Sequence, residues 1–166
     1  SLLSLDFDGI GLDFMEGKET WRLVEQNGFA DGKLLFAGVV NGKNIWKNQY
    51  EKTLAILDSL QSKGIDTVIS TSCSLLHVPY TLKNETRLPK KYTDHFAFAE
   101  EKLAELAELK VLSERVYTQE PAFQANRALF AGRPDCNDPS VQEKVAKIRS
   151  SDFTRRPAFS EREALQ

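Results

Sequence analysis

Disulfide frameworks, membrane spans and secretory leaders each leave marks that this sequence lacks. It holds two cysteines, Cys73 and Cys136, too few for a disulfide scaffold. No window approaches the roughly 18 uninterrupted apolar residues that a membrane span needs. The opening SLLSLDFDGIG has neither the basic start nor the cleavage region of a signal peptide. An initiating methionine is also missing, and an apolar segment begins at once, which points to processing or to a piece of something longer. Charge of one sign is not in excess: 22 Lys and Arg stand against 24 Asp and Glu, a formal net charge of −2. That balance argues against nucleic acid or an anionic membrane as a partner recruited by bulk charge. The expectation is a cytoplasmic globular chain of 166 residues with one real core.

What is present is a regular alternation. GIGLDF, Gly9 to Phe14, is a short apolar strand, and a helix with Trp21, Val24 and Glu25 follows, closed by Asn27-Gly28. KLLFAGVV, Lys33 to Val40, is a continuous apolar run, as expected of a strand buried on both faces. After the turn-rich NGKNIW comes a long helix with Trp46, Tyr50, Leu54, Leu57 and Leu60 on one stripe, ended by Lys63-Gly64. DTVIST, Asp66 to Thr71, is the third strand. Strand, helix, strand, helix, strand at βαβ spacing predicts a parallel α/β sheet.

Beyond Pro89 the chain turns helical. DHFAFAEEKLAELAELKVLSERV places Phe96, Ala99, Leu103, Leu106 and Leu109 on an inward stripe, with Glu100, Glu101 and Glu105 on the solvated side. EPAFQANRALFAG reads as a shorter helix with Pro121 in its first turn and Gly132 past its end. In DPSVQEKVAKIR, Asp138 is the N-cap, Pro139 the first helical residue, and Val141, Val145 and Ile148 the inward side. From Ser150 the periodicity fades and charge increases, as in a tail or an interdomain linker.

In parallel α/β folds function gathers at the carboxyl ends of the strands. Here those ends carry Asp13 and Glu16, then Asn41 to Asn44, then STSCSLLHVPYTLKNETRLP, Ser70 to Pro89. Cys73 and His77 lie four apart and would share a face on a helical turn, yet they supply two of the four ligands of a structural zinc site. A Cys–His nucleophile pair oriented by Asp13 or Asn44 is a second reading. The plainer one packs Cys73 at a strand end and gives His77 to a backbone carbonyl. Asp13 and Glu16 suit either acid–base work or capping of the following helix, and capping is the commoner use. The G-x-G of DGIGLDFMEG stands before or within a strand and does not open a helix, so it is not a dinucleotide fingerprint.

Three phrases in this order, GIGLDF, FAGVVNGKNIWKNQYEKTLAIL and STSCSLLHVPYTLKNETRL, together with AFAEEKLAEL, resemble the cobalamin-independent methionine synthases. The similarity runs over nearly the whole chain. Members of that family transfer a methyl group from 5-methyltetrahydropteroyltri-L-glutamate to L-homocysteine. They are built of two (β/α)8 barrels related by duplication and joined by an extended linker.

The resemblance implies that residues 1–149 are the closing part of the first barrel, its last three βα units followed by extra helices, and that residues 150–166 begin the linker. A complete barrel takes eight strands and ~250 residues. It further implies that zinc and homocysteine sit in the second barrel, the partner domain, with the folate polyglutamate between the barrels. No catalytic or metal-binding role then falls on these 166 residues, and no cofactor is bound by them. Asp13, Asn44, Ser72, Cys73, Ser74 and His77 remain candidates for the barrel mouth. By duplication, Cys73 stands where the second barrel carries a zinc cysteine, while NGKNIW stands where that barrel has its zinc histidine and shows none. Cys73 is then a relic of an ancestral site. The alternatives are a free-standing interaction or regulatory half-barrel and a barrel enzyme of the uroporphyrinogen decarboxylase type.

Overall fold

The computed structural model describes residues 5–132 and 138–154, with 159 and 163. Cys136 and most of the expected linker, 155–158, 160–162 and 164–166, lie outside the described residues. The chain divides into two compact units, Ser1–Gly132 and Arg133–Gln166.

The first unit is built on a three-stranded parallel sheet, ordered β1 (Gly9–Asp13), β2 (Leu34–Val40), β3 (Thr67–Thr71). The strands fall where the apolar runs predict them. Register sets Gly11 beside Phe36 and Phe36 beside Val68, with an irregularity in β2 between Gly38 and Val40. Helix α1 (Thr20–Asn27) joins β1 to β2 and ends as its sequence suggests. Gly28 takes a positive φ of 68° and returns its N–H to the Val24 carbonyl, a conformation that costs glycine little.

Side chains alternate across a strand, so the two faces of β2 can be read separately. Leu35, Ala37 and Val39 are fully buried, in one cluster with Leu54, Leu57 and Leu60 of α2 (Tyr50–Ser62). Leu109 and Leu112 of α4 (Ala99–Ser113), Phe123 of α5 (Pro121–Ala131) and Val24 of α1 join that cluster. Leu34 and Phe36 point the other way and are exposed, as is Val68, which pairs with Phe36. Among the described residues the sheet is covered by helices on one face and leaves the apolar Leu34, Phe36 and Val68 exposed on the other.

Two helical stripes differ from expectation. α2 starts at Tyr50, so Trp46 does not belong to its stripe. Trp46 instead bridges Phe96 in antiparallel fashion, the rings edge to face at 5.3 Å. After the short helix α3 (Lys90–Thr93), α4 begins at Ala99 and turns Lys102, Glu105, Leu109 and Leu112 inward. Leu103, expected inside, is 56 % exposed, and Glu105, expected in solvent, is buried. The cause is polar: the amino half of α4 packs on the backbone of 46–48, whose carbonyl and amide groups need partners, and only the carboxyl half packs on the apolar core.

In the second unit, α6 (Pro139–Ala146) starts where expected, with the Asp138 carboxylate accepting the Ser140 N–H at 2.8 Å. Val141, Val145 and Ile148, expected inward, are exposed.

The rotated stripe of α4 is open to test by urea denaturation. Leu109→Ala, at a fully buried position of α4, should cost about 2–5 kcal/mol. Leu103→Ala should change stability by no more than about 0.5 kcal/mol. Equal losses would restore the stripe read from periodicity.

Candidate strand-end site

The loops that follow the three strands meet at the carboxyl edge of the sheet. After β1, the Asp13 carboxylate accepts the N–H groups of Met15 at 2.7 Å and Glu16 at 3.0 Å. It therefore caps its own turn, not the next helix, which starts only at Thr20. Glu16 reaches across to the β2 loop, pairing with Lys43 Nζ at 2.7 Å and accepting from Asn41 Nδ2 at 3.3 Å. Those bonds hold the Glu16 carboxyl below its ordinary range and raise Lys43, which also feels Cys73 and Asp13. Both side chains are solvent-exposed, so the pair orients the loops more than it stabilises them.

The β2 loop is wound on its asparagines. Asn41 Oδ1 accepts from Lys43 N at 2.8 Å and Asn44 N at 3.1 Å, and Asn44 Oδ1 accepts from Trp46 N at 3.1 Å. These are Asx turns, the local use to which asparagine is suited. The β3 loop closes against them: Ser72 Oγ accepts the Gly42 N–H at 3.2 Å. A Cβ on Gly42 would stand 2.5 Å from the Cys73 carbonyl oxygen and 3.0 Å from its Sγ, so only glycine lets the loops approach this closely.

Cys73 is half-buried there as a free thiol, its Sγ 3.6 Å from the Ser74 carbonyl. The Ser74 hydroxyl accepts from Leu76 N at 3.3 Å and caps the 3-10 turn Leu75–His77. That turn begins two residues after Cys73, so Cys73 and His77 do not share a helical face, and His77 is exposed. Asp13, Asn44, Ser72, Cys73 and Ser74 thus belong to one edge. His77 is exposed at the end of the 3-10 turn that follows.

The donor set does not suit a metal. Asp13 and Asn41 are spent on turn amides and Glu16 on Lys43. Among the described residues no group of three or more His, Cys, Asp or Glu is placed to hold an ion.

A second polar cluster lies beneath the edge and escaped sequence reasoning, because Lys102 and Glu105 look like any helix-surface pair. Glu105 Oε1 accepts the Asn48 N–H at 2.8 Å, and Lys102 Nζ donates to the Trp46 carbonyl at 3.0 Å. Asn48 donates to the Val39 carbonyl at 2.7 Å and accepts from Thr53 Oγ1 at 2.7 Å, while its own carbonyl accepts from Asn126 Nδ2 at 2.9 Å. A cleft of about 480 Å³, lined by Lys47, Tyr50, Glu105, Glu108, Asn126 and Leu129 among others, opens beside it. In it Tyr50 donates its hydroxyl to Glu108 at 2.5 Å, and burial together with that bond raises the phenol. Burial pushes Glu105 up to about 7 and outweighs the Asn48 amide and the Lys102 and Lys47 charges, which pull it down.

The sign of the resulting pH dependence follows. Glu105 binds its proton more tightly folded, near 7, than unfolded, near 4.5, so its contribution is complete below about 4.5 and lost as pH rises through about 7. The full difference is roughly 3 kcal/mol. The urea midpoint at fixed protein concentration should therefore fall between pH 5 and pH 8. Glu105→Gln should remove that fall, and an unchanged fall would assign the titration elsewhere.

Among known protein families, residues 1–64 match the one described as the cobalamin-independent synthase, N-terminal domain. Over 99% of its length the chain is 46% identical to a 5-methyltetrahydropteroyltriglutamate–homocysteine methyltransferase of Campylobacter jejuni subsp. doylei, covering 22% of that protein. It is 46% identical to the protein of that name from Lactococcus lactis subsp. lactis and 48% identical to one from Lactococcus lactis subsp. cremoris, covering 21% of each. The chain therefore spans about a fifth of the length of the curated relatives it matches. Nearly every residue of the chain is thus matched within methyltransferases of that name, and its first 64 residues match the cobalamin-independent synthase family.

Proposed function

We propose that this chain is part of a methyltransferase that moves the methyl group of 5-methyltetrahydropteroyltri-L-glutamate to L-homocysteine, forming methionine without cobalamin. Within it the chain is scaffold and interdomain surface. The relatives' names supply the reaction, and one structural observation supports the role: the parallel sheet is apolar on both faces, with Leu34, Phe36 and Val68 uncovered on the second. Two-sided apolar strands are what α/β barrels and doubly wound sheets require. Residues 1–149 are accordingly the closing βα units of a (β/α)8 barrel with added helices, and residues 150–166 the start of a linker to a second barrel.

The reaction needs a deprotonated thiol as nucleophile. The strand-end residues of this chain offer no group to generate one, since Lys43 is neutralised by Glu16 and Asp13 accepts two backbone amides. By the family resemblance, zinc, homocysteine and their ligands belong to the partner barrel, and Cys73 is a positional relic. The edge formed by Asp13, Asn44, Ser72, Cys73 and Ser74 faces the space between barrels, where the folate lies, and the enzyme works in the cytoplasm.

Two measurements test this reading. The isolated 166-residue chain should be inactive and should self-associate in size-exclusion chromatography, because among the described residues Leu34, Phe36 and Val68 are exposed and the outer edges of β1 and β3 pair with no further strand. The full-length protein carrying it should convert homocysteine to methionine with the folate triglutamate. A monomeric chain at all concentrations, or a full-length protein without that activity, would contradict the proposal. Zinc at one equivalent in the isolated chain, lost on Cys73→Ala, would overturn the relic.

A further inference from the structure

Glu105 and Lys102 have no part in the strand-end turns, yet they hold the segment from which those turns are made. Lys102 is 1 % exposed and Glu105 5 % exposed, and together they grip the backbone at Trp46 and Asn48. Only half of the Glu105 carboxyl is used: Oε1 accepts from Asn48, while Oε2 is buried without a hydrogen-bond partner. A neutral carboxyl tolerates a dry second oxygen far better than a carboxylate does.

We propose that Glu105 is a positioning residue that latches the segment Asn41–Gln49 over the carboxyl edge of the sheet, closed when the carboxyl is protonated and loosened when its proton leaves to water. On ionisation the unpartnered Oε2 becomes a buried anionic oxygen, and the nearest remedies undo the latch. Either Lys102 turns from the Trp46 carbonyl to the carboxylate, or water enters from the adjoining cleft. Both release one of the two bonds that α4 makes to this backbone and so loosen the segment that carries the Asn44 turn, while the Lys47 amide stays on the His95 carbonyl and the Ala97 amide on the Ile45 carbonyl.

The surroundings leave this role to Glu105. On its own helix Glu108 is held by the Tyr50 hydroxyl of α2, and from the segment itself Lys47 lines the same cleft. From α3, Lys90 is paired with Asp94, and from α5 the contribution is the neutral Asn126. With burial dominant over these charges, ionisation falls near neutral pH.

Cys73 reports on the latch, since its thiol packs against Gly42 of the same segment. In a Cys136→Ala background, the rate of Cys73 modification by Ellman's reagent would be followed from pH 6 to 8.5 and divided by the rate in the same background with Glu105→Gln. Effects on the reaction that do not pass through residue 105 divide out of that ratio. The ratio should rise several-fold with a midpoint near 7, and a flat ratio overturns the latch. Should Glu105→Gln not fold, hydrogen exchange at the Asn48 amide of the unsubstituted chain decides. Protection corrected for intrinsic exchange should fall across pH 7, and constant protection overturns the proposal. Neither readout involves methyl transfer, so its outcome is independent of the proposed enzymatic role.

Discussion

β2 is apolar on both faces and hydrogen-bonded on both edges, and the rest of the first unit is arranged by that strand. Its inner residues, Leu35, Ala37 and Val39, gather α2, α4 and α5 into one core. Its register places β1 and β3 in parallel beside it and brings three strand ends to one edge. Its last carbonyls are taken by the neighbouring loops: Val39 accepts from Asn48, and Val40 accepts from Ser72. The strand that makes the core thus also fixes the loops that follow it.

That dependence explains the polar layer between α4 and the β2–α2 segment. A chain that leaves a buried strand and crosses to a helix carries amide and carbonyl groups into an apolar setting, where each needs a partner. The Asn48 side chain answers the Val39 carbonyl, Glu105 the Asn48 amide, Lys102 the Trp46 carbonyl and Asn126 the Asn48 carbonyl. The solution leaves Glu105 Oε2 unmatched, and the same burial lifts its carboxyl toward neutrality. Support for the strand-end loops and sensitivity to pH therefore arise from one arrangement.

Much of this was legible in the residues. Continuous apolar runs marked β2 and β3, Asn27-Gly28 marked the end of α1, and Asp138-Pro139 the start of α6. The errors share a cause: period alone does not say what a helix packs against. Leu103 fits an apolar stripe as well as Leu109, but the amino half of α4 lies on backbone polar groups, which select Lys102 and Glu105. Trp46 fits the rhythm of α2 but precedes its first turn and pairs with Phe96. At the edge, Asp13 binds the amides of its own turn and not the following helix it was expected to cap, and the Glu16–Lys43 pair joins loops 27 residues apart and needed the register of two strands.

The central claim is that the second face and the outer edges of this sheet are made to be covered by further strands of a longer protein. Backbone hydrogen exchange of β1 and β3, compared between the isolated chain and the full-length protein, tests it most directly. Slow exchange of Gly9–Asp13 and Thr67–Thr71 in the full-length protein, with faster exchange in the isolated chain, is expected. Equal and rapid exchange in both would show these edges to be free, and would contradict a partial barrel.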